Sequence, residues 1–205
     1  MQMDLPVSII SVPDRRIRIY LKDIATTMTD SKTTSWPTTA WVFGHPARWL
    51  AFGLGSGLIR PAPGTWGTLA GWALWAWLAP AGWAAGGAVL LAGFLLGCWA
   101  CHRTGVELGQ PDHGGMVWDE FVGIWLVLWL LPGFFEVNWL AQVWAVVLFR
   151  FFDILKPYPI RVFDRRLKNG FGCMLDDVLA ALFAVLVLAL TAWLQPPGLL
   201  RGAFF

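Results

Sequence analysis

Five apolar runs, residues 65–79, 83–101, 117–131, 139–155 and 178–194, leave this chain little polar surface with which to fold in water. Charged residues make up 14% of the sequence, against roughly 25% in soluble domains. A membrane crossing takes about 20 apolar residues, with roughly 17 as the lower limit. The first and third runs are therefore short, so that tilt, local thinning of the bilayer or re-entry would have to accommodate them. A sixth stretch, residues 40–59, is weaker and Gly-rich, and reads as an interfacial segment or half-helix. The expectation is an all-α fold, a polytopic membrane helix bundle of about five apolar helices. Residues 1–38 read as a polar, mobile N-terminal tail without the features of a secretory signal. Residues 39–196 form the membrane-embedded domain that carries every motif, and 197–205 a short C-terminal tail.

Topology follows from the basic residues. With a cytoplasmic N-terminus and five crossings, every Lys and Arg among the 15 except Arg201 falls on the inner side. Such a bias orients membrane proteins with their basic loops in the cytoplasm, and it puts all the motifs below on that face. Trp66, Trp83, Trp118, Trp139 and Trp193 flank the runs and fit an interfacial belt.

Several function classes are disfavoured. A net charge of +2 without a basic stripe gives no footing for nucleic acid. The three cysteines, Cys98, Cys101 and Cys173, cannot complete a disulfide framework. Cys98, Cys101 and His102 match the spacing of covalent haem attachment, but they lie in an apolar helix with no distal Met in evidence. They read as small helix-packing residues ending at an interface.

Thirteen Asp and Glu remain, and charge close to hydrocarbon costs several kcal/mol unless paired, hydrated or bound to a cation. The acids gather at the ends of the runs. Asp119 and Glu120 open the third run after Asp112-His113-Gly114-Gly115, where a helix dipole favours them; they are either a charged cap or ligands. About 100° of helix separates them, which favours one direct and one water-mediated contact to any single ion. His113 is a candidate base or supporting group. Arg150, Asp153 and Lys156 follow at intervals of three on one helix face, and Pro157 ends that helix. They form either an ion-pair ladder or a site in which Asp153 holds a cation while Arg150 and Lys156 hold phosphate. Asp164 comes next, and Asp176-Asp177 open the last run beneath the Gly-rich residues 170–172. Near the N-terminus, Gly53 and Gly57 suit close helix packing. Pro63-Gly64-Thr65 reads as a helix entry with Thr65 as cap, where free N–H groups receive phosphate oxygen.

Oxygen ligands without a Cys or His cluster favour a hard ion such as Mg²⁺. Mg²⁺ beside Lys and Arg at a membrane surface suits phosphoryl chemistry on a lipid headgroup. No Cys-x5-Arg thiolate loop is present, because Thr104 stands where Cys98 would need Arg, and there is no Asp-x-Asp pair. A metal-activated water remains as the means of hydrolysis. A cation-coupled transporter or channel with acids lining its path is the competing class, and it calls for acids at mid-membrane depth rather than at helix ends.

From Leu50 to about Leu190 the chain resembles the bacterial phosphatidylglycerophosphatase A family. The resemblance rests on Phe52-Gly-Leu-Gly-Ser-Gly57 with Pro63-Gly-Thr65, Asp112-His-Gly114 with Val117-Trp-Asp-Glu120, Phe149-Arg-Phe-Phe-Asp153 with Lys156-Pro, Asp164, and Asp176-Asp177. Thr68 and Ala181 replace the Ser and Gly expected there. The resemblance implies Mg²⁺-dependent hydrolysis of phosphatidylglycerophosphate to phosphatidylglycerol and phosphate at the bacterial inner membrane, with the site facing the cytoplasm. It also implies that Asp119, Glu120, Asp153 and Asp177 supply or orient metal ligands, with Asp164 and Asp176 in support. Lys156 and Arg161 would neutralise the phosphate, with Thr65, His113 and Arg150 as further substrate contacts.

Overall fold

The computed structural model describes residues 36–78 and 80–194, except for the side chains of residues 164 and 165. The C-terminal tail expected over 197–205, and residues 1–35 of the N-terminal one, lie outside the described residues. A compact unit begins at Thr38, and every element described in it is helical.

Residues 40–59 break into three short pieces rather than one half-helix. Helix α1, Thr39–Phe43, is capped by the Thr38 hydroxyl, which accepts from the Trp41 N–H. Helix α2, Pro46–Ala51, begins at a proline behind His45, whose Nδ1 accepts from the Ala47 N–H. A 3₁₀ turn, Gly53–Leu58, follows with φ of +57° at Leu54 and +101° at Gly55, a conformation no α-helix can carry through. Gly53 and Gly57 therefore do not pack helix on helix. A Cβ on Gly57 would lie 2.0 Å from the Gly115 carbonyl oxygen, so its bareness lets this turn seat on the 113–117 loop.

The longer elements are α3 (Pro63–Leu78), α4 (Gly82–Leu108), α5 (Trp118–Leu130), a 3₁₀ turn (Leu131–Gly133), α6 (Trp139–Leu155), α7 (Ile160–Arg166) and α8 (Gly170–Leu194). Two of them outrun their apolar stretches. Helix α4 continues to Leu108, where Gly109 adopts the left-handed conformation that ends helices. Helix α8 starts eight residues before its apolar run, because the Asn169 side chain accepts from the Gly172 N–H at 2.8 Å. Asp176 and Asp177 thus lie in its second turn and do not open it.

The short α5 is the hub, packing against α3, α4, α6 and α8. Small residues let these helices approach one another closely. Gly67 and Gly71 of α3 bring that helix onto Val117 and Phe121, and Gly93 and Gly97 of α4 bring it onto Trp125 and Trp118. The bare glycines also expose their carbonyls. Trp118 Nε1 donates to the Gly93 oxygen at 2.9 Å and Trp125 Nε1 to the Gly71 oxygen at 2.7 Å. Trp118 is therefore a buried clamp and not part of an interfacial belt, whereas Trp66, Trp83, Trp139 and Trp193 are exposed.

Among the described residues, α4 and α8 are the helices long and apolar enough to cross a membrane. The 16 and 13 residues of α3 and α5 fall below the roughly 17 a crossing needs, and the 17 of α6 just reach that limit.

Candidate active site

Helix ends assemble the polar cluster. The first turn of α5 supplies Asp119 and Glu120, the last turns of α6 supply Arg150, Asp153 and Lys156, the second turn of α8 supplies Asp176 and Asp177, and the first turn of α3 supplies Gly64. Asp119, Glu120 and Asp177 each present a carboxylate oxygen, and the three atoms lie within 4.8 Å of one another. Asp119 and Asp177 are buried, at 8% and 3% exposure. Asp119 and Glu120, expected to share an ion as one direct and one water-mediated contact, both bring an oxygen to the cluster. Asp177 meets them from the neighbouring helix, and the longer Glu120 side chain reaches back to the same point.

Cations ring this triad. Arg150 is hydrogen-bonded to Asp153 at 2.5 Å and to Glu120 Oε1 at 3.4 Å, and Asp153 in turn touches Asp177. Lys156 turns away from the ladder anticipated along α6 and pairs with Asp176 of α8. The cause is local. Lys156 caps α6 in the left-handed conformation, φ +41°, its N–H donating to the Phe152 carbonyl at 2.9 Å. The helical register that would align it with Asp153 ends there.

The triad fits a hard cation on two grounds. Its donors are all carboxylate oxygens, the set that Mg²⁺ takes. Glu120 Oε2 and Asp177 Oδ2 are buried without a hydrogen-bond partner, and buried acceptors are normally satisfied by protein, water or an ion. The Pro63-Gly64-Thr65 entry comes against this cluster through the glycine: a Cβ there would lie 2.3 Å from Glu120 Oε1 and 2.9 Å from an Arg150 nitrogen. Thr65 is exposed within the first turn, behind Pro63, and is not the cap.

Three further expected residues lie on other segments. His113 is buried, its Nδ1 accepting from the Gly115 N–H at 3.0 Å and its ring 5.8 Å from that of Phe52. Through these contacts it organises the loop that leads into α5. Burial holds its pKa below the ordinary histidine value, Arg60 adds to that effect and Asp112 opposes it. Arg161 is exposed on α7. Asp164 belongs to α7, and its side chain lies outside the described residues.

Cys173, given no site role from the sequence, donates its thiol to Asp119 Oδ2 at 3.2 Å. The signal was present in the sequence, since Cys173 precedes Asp177 by four residues and so shares its helix face.

The family model for phosphatidylglycerophosphatase A matches residues 49–192, a stretch that contains every residue of the cluster. A Haemophilus influenzae protein named phosphatidylglycerophosphatase A is 51% identical over 164 residues, covering 73% of this chain and 91% of the relative. The Escherichia coli protein of the same name is 38% identical over 156 residues, covering 76% of this chain and 89% of the relative. A Bacteroides thetaiotaomicron protein, provisionally named a phosphatidylinositol-3-phosphatase, is 35% identical over 150 residues, covering 70% of this chain and 92% of its own length. No solved structure gives a significant match. The chain belongs to the phosphatidylglycerophosphatase A family.

Proposed function

We propose that this protein is a Mg²⁺-dependent membrane phosphatase that hydrolyses phosphatidylglycerophosphate to phosphatidylglycerol and inorganic phosphate. The observation that carries the reading is the meeting of Asp119, Glu120 and Asp177, with their oxygens within 4.8 Å, beside Arg150 and Lys156 in a chain of this family.

Asp119, Glu120 and Asp177 would hold the ion. Bound there, Mg²⁺ supplies Lewis-acid stabilisation of a phosphoryl group and lowers the pKa of water. The protein's own groups do the rest. Arg150 and Lys156 draw a phosphate monoester to the cluster, and the planar guanidinium suits two phosphate oxygens at once. Asp153 fixes Arg150 through the 2.5 Å bond, and Asp176 does the same for Lys156. Water adds to phosphorus, the bond to the glycerol oxygen breaks, and that oxygen leaves as an alcohol after gaining a proton. Acyl chains in the bilayer hold the headgroup at the helix ends, so that encounter is a two-dimensional search.

In this reading α4 and α8 cross the inner membrane, and α3, α5 and α6 sit in the bilayer around them as the rest of a five-helix bundle. The cluster faces the cytoplasm, where the basic residues gather. Its acids occupy first, second and last turns of helices, which favours headgroup chemistry over a cation path through the membrane centre.

Phosphate release from phosphatidylglycerophosphate by the purified protein in detergent tests the proposal. Release should require Mg²⁺, stop with chelator, and fall at least tenfold in Asp153→Asn while the protein still folds. No release from folded wild-type protein with Mg²⁺ would refute it.

A further inference from the structure

We infer that Cys173 is a positioning residue, whose thiol holds Asp119 in the rotamer that the metal site needs. The inference rests on the Mg²⁺ reading above and extends it to a residue that touches neither ion nor lipid.

Three helices meet at this thiol. Cys173 of α8 donates to Asp119 Oδ2 of α5 at 3.2 Å, and the buried Cys101 of α4 is a neighbour of the same thiol. All three side chains are buried. The other Asp119 oxygen, Oδ1, accepts from the Glu120 N–H at 3.1 Å. The carboxylate is thus gripped from both ends, and its plane is set before any ligand arrives.

The grip matters because of what surrounds it. Two further carboxylates, Glu120 and Asp177, place oxygens within 4.8 Å, and like charges that close push one another apart. A buried carboxylate without a donor on Oδ2 would turn toward whatever donor or water it could reach. The thiol removes that freedom at the one Asp119 oxygen facing α8. Four residues along the same helix, Asp177 enters the triad, so α8 positions one ligand directly and another through sulfur. Groups that orient metal ligands typically change affinity by about 10–100-fold when lost. An S–H is a weak donor, which points to the lower end of that range.

Packing alone would give Cys173 a different signature, and serine separates the two. Ser keeps a donor and loses volume, Ala loses the donor and volume together, and Val keeps the volume without a donor. The experiment is Mn²⁺ binding by electron paramagnetic resonance to the full-length protein in detergent, for wild type, Cys173→Ser, Cys173→Ala and Cys173→Val. The melting temperature of each is recorded in chelator. Mn²⁺ takes the same oxygen ligands as Mg²⁺ and reports occupancy without turnover. The expected result is a Kd weakened about tenfold in Cys173→Ala and Cys173→Val, near wild type in Cys173→Ser, with the KM for lipid substrate unchanged at saturating metal. Should Cys173→Ala not fold, the Val and Ser variants carry the comparison. Equal weakening in all three, or in none, overturns the positioning role. Absence of Mn²⁺ binding in wild type overturns the metal reading itself and this inference with it.

Discussion

Gly64→Ala tests the placement of Glu120 more sharply than removal of any acid. The new Cβ would sit 2.3 Å from Glu120 Oε1 and 2.9 and 3.0 Å from the two terminal nitrogens of Arg150. Ordinary contact begins near 3.4 Å, so the carboxylate must retreat by about 1 Å, and Arg150 must give with it. A misplacement of about 1 Å in a reacting site costs on the order of a hundredfold in rate. Stability responds differently. Overpacking costs about 1–3 kcal/mol, but alanine gains about 1 kcal/mol over glycine within a helix, and the atoms displaced are side-chain ends. We expect kcat for phosphate release to fall about a hundredfold while the melting temperature in detergent moves little. Gly114→Ala is the control, because nothing lies within 4 Å of a Cβ there although the residue belongs to a family motif. Wild-type turnover by Gly64→Ala would refute the assignment of Glu120 to the reacting site.

Three further outcomes follow from the same contacts. His113 has its pKa lowered by burial, so its contribution to stability is complete above the ordinary value of about 6.5 and is lost as pH falls from there through the lowered value, because the unfolded chain takes up the proton first. Melting temperature against pH should show that loss in wild type and be flatter on the acid side in His113→Asn, which keeps an acceptor for Gly115 but cannot titrate. Lys156→Met takes the ammonium from the buried Asp176 and should cost about 1.5–3 kcal/mol of stability, measured by denaturation in detergent, with Lys156→Arg losing less. Asp177→Asn should invert the usual sign: in chelator it relieves repulsion of about 3.5 kcal/mol per ionised pair at 4.8 Å and an effective dielectric near 20 and raises the melting temperature, while abolishing the further rise that Mg²⁺ gives wild type.

The helical class and some of the helix ends were legible because apolar runs and prolines report them directly. Pro157 stops α6, and Asp119 and Glu120 do open α5. What sequence could not supply was anything that depends on the angle between two helices. Lys156 sits three residues from Asp153 and looks like its partner, yet one left-handed residue redirects it to Asp176. Trp118 has the sequence position of an interfacial residue, but whether an indole meets lipid or the Gly93 carbonyl depends on how closely α4 approaches. The start of α8 was hidden for a different reason. Hydropathy marks where a helix becomes apolar, whereas the backbone begins where an orphan N–H finds a cap, at Asn169. The packing of His113 was hidden because a loop histidine between Asp112 and Gly114 carries no sign of the Phe52 ring it meets.

The placement of the cluster also accounts for how so apolar a fold tolerates it. Asp119 and Glu120 sit at the N-terminus of α5, where the helix dipole contributes partial positive charge, and Gly64 brings the N-terminus of α3 to the same point. Lys156 caps the C-terminus of α6, where cations are favoured. The backbone therefore stabilises Asp119, Glu120 and Lys156 before they pair, whereas Asp153 in the last turn of α6 depends on Arg150. An acid triad placed in mid-helix would lack that field and would depend on its counterions alone. The short α5 is what makes the arrangement reachable: with 13 residues at about 1.5 Å each it spans only about 20 Å, less than the roughly 30 Å of hydrocarbon in a bilayer. Under the membrane placement proposed above, its N-terminus and the acids on it would lie below the level where α4 and α8 emerge, within reach of a headgroup drawn down from the surface. Lengthening α5 by one turn between Gly123 and Trp125 would push those acids outward by about 5.4 Å and separate them from Asp177, so phosphate release should be lost even with every site residue intact.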